Sequence, residues 1–81
     1  MKLTNEYEMS EWAYNQCQSG NDTPEMRDLI TNGYDAYCYC RDIKDKKEMW
    51  SKITDSRWAY YYCRWIKDRP EIRKYIKEFK T

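Results

Sequence analysis

The sequence predicts an all-α fold: three tandem helix pairs stacked as a small α-solenoid or bundle, in one domain covering residues 1–81. Three observations carry that expectation. Stretches of the chain align without gaps at a constant offset of 23 residues, matching Ala13, Ala36 and Ala59, then Cys17, Cys40 and Cys63, then Ile30, Ile53 and Ile76. A fixed period of this length marks stacked supersecondary units, none of which can bury its apolar face alone. Within the second and third units, Ala36, Cys40 and Ile43 and then Ala59, Cys63 and Ile66 recur at i, i+4, i+7, which places each trio on one helical face. Finally, Asp22 and Glu25, Asp45 and Glu48, and Asp68 and Glu71 repeat the spacing of a capping box.

The units span about 10–32, 33–55 and 56–78. Residues 1–9 precede the first, and Leu3, Tyr7 and Met9 are expected to cover its open end. The first helix of unit one should stop early, because Gly20 stands where the later units have Ile43 and Ile66. Each second helix is expected to start at its Asp, whose carboxylate would accept the amide three residues on. Pro24 and Pro70 fall in the first turn, where no N–H is needed. These helices should bury Met26 and Ile30, Met49 and Ile53, and Ile72 and Ile76, with Phe79 extending the last. Gly33 suits the position just past a helix end, and Ser56 suits a cap for the helix that follows it. The short links between units favour antiparallel or sharply angled neighbours.

A chain of 81 residues has little surface to bury, so its apolar inventory matters. There is no Val, only Leu3 and Leu29, and six Ile; nine Tyr, four Trp and Phe79 carry the load. Each aromatic ring can bury roughly 150–250 Å², so few are needed. No window is long and apolar enough for a membrane span or a signal peptide. Cys17, Cys40 and Cys63 share one repeat position, which reads as small core filling by reduced thiols in a cytoplasmic protein. Cys38 breaks that register and is expected to be partly exposed and the most reactive thiol.

Charge is uneven. Residues 1–40 hold two Lys/Arg against seven Asp/Glu, net −5; residues 41–81 hold thirteen against seven, net +6. Stacked in order, the units would have an acidic and a basic end, able to steer a partner or drive head-to-tail association.

Little here resembles an active site. The chain has no His, no Gly-rich phosphate loop and no nucleophile elbow, so no catalytic residue, cofactor or enzymatic activity is expected. The four Cys do not read as a metal site: no Cys-x-x-Cys pair exists, and helical residues two apart, such as Cys38 and Cys40, point in different directions. Glu25, Glu48 and Glu71 are better explained as caps than as acids. What remains is binding. Aromatics outside the repeated pattern are not required by stacking, and Trp, Tyr and Arg are the enriched residues of protein interfaces. The expected protein-binding surface is Trp50, Arg57, Trp58, Tyr61, Arg64, Trp65 and Arg69. A homodimer would bury the same rings. The alternative is nucleic-acid binding by the third unit, whose cations interleave with stacking rings, although the acidic first half would repel phosphate.

The run from Trp58 to Glu71, Trp-Ala-Tyr-Tyr-Tyr-Cys-Arg-Trp-Ile-Lys-Asp-Arg-Pro-Glu, resembles short tandem helical repeats of bacteriophage accessory proteins, as does Ala36 to Ile43. The resemblance covers about 10–77, and unit one departs from it at Gln18 and Gly20. It implies a phage-encoded protein of the bacterial cytoplasm that binds and inhibits a host protein, such as a defence or regulatory factor. It brings no catalytic residues.

Overall fold

The computed structural model describes residues 5–76. Among them there are six helices and no strand: α1 (Glu6–Gln18), α2 (Pro24–Asp28), α3 (Gly33–Asp42), α4 (Lys47–Trp50), α5 (Ser56–Trp65) and α6 (Pro70–Arg73). The all-α class therefore holds. The long helices lie in a row, α1 against α3 and α3 against α5, and each short helix packs on the long helix preceding it. The molecule measures 45 × 24 × 15 Å.

The ends of α3 and α5 match in backbone detail. At the end of α3 the N–H groups of Ile43 and Lys44 both donate to the Tyr39 carbonyl, at 2.9 and 3.1 Å; at the end of α5 those of Ile66 and Lys67 both donate to the Tyr62 carbonyl, at 2.9 and 3.2 Å. Gly20 follows α1 with φ +112°, a region side chains avoid, so this helix ends before the position of Ile43 and Ile66. Its start lies earlier than the repeat, because Asn5 caps it by accepting from the Glu8 amide at 2.9 Å. Tyr7 and Met9 sit on this extended helix and are exposed, so they do not close the end of the stack. Leu3 and Phe79 lie outside the described residues.

The core contains the expected small residues. Ala13, Ala36 and Ala59 are fully buried, as are Ile30, Met49, Ile53 and Ile72. A one-carbon side chain in the long helices leaves room for the aromatic rings that fill the rest, Tyr39 and Tyr62 among them, both fully buried. Cys17 and Cys40 are buried thiols and Cys63 is half-buried. Cys38 departs from expectation: it is buried too, 3.9 Å from the Arg41 guanidinium. Six consecutive residues of α3, from Asp35 to Cys40, are buried because this helix has neighbours on both sides.

The helix starts differ from the expected capping boxes. The caps of α2, α4 and α6 are Thr23, Lys46 and Arg69, one residue after each Asp. Thr23 accepts from the Met26 amide at 3.1 Å, whereas Lys46 and Arg69 provide no side-chain cap. Pro24 and Pro70 do occupy the first turn. Gly33 and Ser56 are the first residues of α3 and α5, whose caps are Asn32 and Asp55. Gly33 packs closely against the next segment: a Cβ there would stand in ordinary contact, 3.4 Å from the Lys52 carbonyl oxygen and 3.7 Å from the Trp58 ring.

Candidate functional site

Freed from capping, Asp22 and Asp45 each accept from a tyrosine 17 residues on. Asp22 accepts from Tyr39 Oη at 2.5 Å and from Arg27 Nη1 at 2.7 Å. Asp45 accepts from Tyr62 Oη at 2.6 Å, Trp50 Nε1 at 2.9 Å and Arg69 Nη2 at 2.9 Å. Arg69 Nε also donates to Tyr62 Oη at 2.7 Å, and its guanidinium lies 3.9 Å from the centre of the Trp50 ring. Burial raises the carboxyl pKa of both aspartates, but the donated hydrogen bonds outweigh it, so both lie below the ordinary carboxylate value. The phenols of Tyr39 and Tyr62 are pushed up, first by burial and then by the carboxylate each faces.

Trp50 and Arg69 are thus engaged inside this network rather than joined to an outward surface. The other five expected binding residues lie on α5. Trp58, Tyr61 and Trp65 fall at i, i+3, i+7, one face of that helix, with Arg57 and Arg64 beside them. The Trp58 ring meets Tyr34 at 4.8 Å, Tyr37 at 5.9 Å and Tyr61 at 5.5 Å between centroids. Tyr61 in turn meets Tyr37 at 6.4 Å and Tyr60 at 5.7 Å. Arginines lie over these rings: Arg57 at 5.9 Å from Trp58, Arg41 at 5.4 Å from Tyr37 and Arg64 at 5.1 Å from Trp65.

The face therefore spans two helices. Tyr34, Tyr37 and Arg41 of α3 belong to it, and sequence reasoning missed them. The signal was present, since they too stand at i, i+3, i+7, but Tyr37 shares one repeat position with Tyr14 and Tyr60, and such recurrence points to packing before recognition. Tyr37 does back the face from below, being buried, while Tyr34 and Tyr61 are exposed and Trp65 is 63% exposed. A groove of about 300 Å³ adjoins Tyr34 and Trp58, with Tyr7, Asn32 and Asp55 on its walls.

The thiols offer little nucleophilicity. Burial is the main cause in every case, pushing Cys17 up to about 11 and Cys40 up to about 12 and raising Cys38 and Cys63 as well. Among the described residues no three Cys, Asp or Glu side chains are grouped to hold a metal ion. No described helix is long and apolar enough to cross a membrane. No family model, curated protein or solved structure matches the chain.

Proposed function

We propose that the chain is a three-unit α-solenoid of tandem helix pairs that binds a protein partner through the aromatic face of α3 and α5. The observation that carries this reading is the cluster of Tyr34, Trp58 and Tyr61, roofed at its edges by Arg41 and Arg57 and continued by Trp65 and Arg64. Rigid rings already packed on one another lose little entropy on binding, and guanidinium groups supply directional donors around them. Trp, Tyr and Arg are also the residues in which interface binding energy concentrates. The resemblance of the third unit to phage repeats supports a bacterial host protein as the target and inhibition by stoichiometric occupation as the outcome. Four unpaired cysteines fit a reducing cytoplasm.

Affinity capture from a bacterial lysate tests the proposal. One dominant protein is expected, and Trp65→Ala should weaken its binding by about 2 kcal/mol or more, roughly 30-fold. Trp65 is exposed, so the variant should remain folded. Retention of full affinity in Trp65→Ala would remove this surface from the reading.

The same geometry favours a second reading. The exposed rings Tyr34, Tyr61 and Trp65, with Arg41, Arg57 and Arg64 near them, form a platform on which nucleobases stack. Binding of single-stranded DNA or RNA should then fall steeply with salt as counterions are released, and absence of binding at low salt would exclude it.

A further inference from the structure

The outer face of the third unit is built like the face of unit one that receives unit two. In unit one, Asp22 and Arg27 form a 2.7 Å ion pair; the following unit covers them, Tyr39 donating to Asp22 and Glu48 pairing with Arg27 Nε at 3.1 Å. Asp68 and Arg73 repeat this pair at an offset of 46 residues, 3.1 Å apart. Their side chains are 62% and 53% exposed, against 25% and 12% for Asp22 and Arg27. Cys63 and Ile76 are half-buried where Cys17, Cys40, Ile30 and Ile53 are buried. Together with Tyr60 and Arg64 these residues line a cleft of about 250 Å³. Among the described residues, no helix pair packs on this cleft.

We propose that this cleft receives unit one of a second copy of the chain, giving head-to-tail association. The repeat sets the register. Glu25 stands at the position of Glu48, is exposed at the start of α2, and would pair with Arg73 of the preceding copy. Gln16 stands at the position of Tyr39; its Oε1 accepts from Asn21 Nδ2 at 2.8 Å, which leaves its amide hydrogens to donate to Asp68. Charge favours the same order, since each junction sets the acidic half of one chain, net −5, against the basic half of the next, net +6. The contact is heterologous, so association continues with concentration instead of stopping at a dimer. The inference rests on the stacking of the units; the cleft shares Arg64 with the partner surface proposed above, but Glu25 and Arg73, whose substitutions test it, lie outside that surface.

Sedimentation velocity over a concentration series tests it. The weight-average mass should climb steadily at low salt and fall back near 1 M salt, where the Debye length is about 3 Å. Glu25→Arg and Arg73→Glu each set like charges across the junction and should weaken association by about tenfold or more. An equimolar mixture of the two variants should regain it, because each altered end finds its complement on the other variant; circular dichroism of each confirms the fold beforehand. A wild-type chain that stays monomeric at every concentration overturns the proposal. So does a dimer of fixed mass indifferent to both substitutions, or a mixture no more associated than either variant alone.

Discussion

At Asp45 a single carboxylate accepts hydrogen bonds from Tyr62, Trp50 and Arg69, three residues drawn from two units. Its place in the repeat is read easily from the sequence, but its role is not. An Asp three residues before a Glu looks like a cap, and only the position of the next unit shows where the carboxylate points. Tyr62→Phe removes the hydroxyl shared by Asp45 and Arg69 and should cost about 1–3 kcal/mol in urea unfolding. Asp68→Asn, at the equivalent but exposed position, should change stability by no more than about 0.5 kcal/mol. Acidity separates these roles as well. Because the folded-state pKa values of Asp22 and Asp45 are depressed, their contribution is fully present above the unfolded carboxylate value of about 3.9 and is lost as pH falls through the lower folded value. The phenols of Tyr39 and Tyr62 are raised, so their contribution is fully present below about 10 and is lost above it. Urea midpoints should therefore fall at both extremes, and Asp45→Asn should flatten the acid limb.

Among the elements, the long helices were legible and the short ones only in outline. Ala, Cys and Ile at i, i+4, i+7 located α3 and α5, because that spacing has one physical meaning on a helix. The short helices are single turns of four or five residues, too brief to fix their own start by periodicity. Their caps fell one residue later than expected, at Thr23, Lys46 and Arg69. Thr23→Ala should accordingly destabilise by about 1 kcal/mol, while Lys46→Ser, which supplies the oxygen that α4 lacks, should stabilise by a similar amount of about 1 kcal/mol. Unchanged midpoints for both variants in chemical denaturation would return the capping role to Asp22 and Asp45. The aromatic face belongs to this scale too. Five of its residues were foreseen on α5, but its other half comes from α3, and sequence alone did not show that Tyr34 meets Trp58.

For the molecule as a whole, α3 is the joint. It touches both α1 and α5, and Ala36 on it is fully buried. Ala36→Leu would force these helices apart and should cost about 1–3 kcal/mol, read as a lowered thermal midpoint with α-helical signal retained below it. What the sequence by itself determined is the α class, the three-fold recurrence in the chain and the burial of Ala13, Ala36, Ala59, Cys17 and Cys40, since periodic apolar spacing dictates which side of a helix must leave water. The tertiary structure alone decided the partners of the recurring polar and aromatic groups. Asp22 and Asp45 meet tyrosines 17 residues away, Trp50 lies beneath Arg69, and Cys38 is buried between neighbours. A repeat states that a position recurs, but a side chain's environment depends on which surfaces from other units approach it, and that follows from how the helices pack in three dimensions.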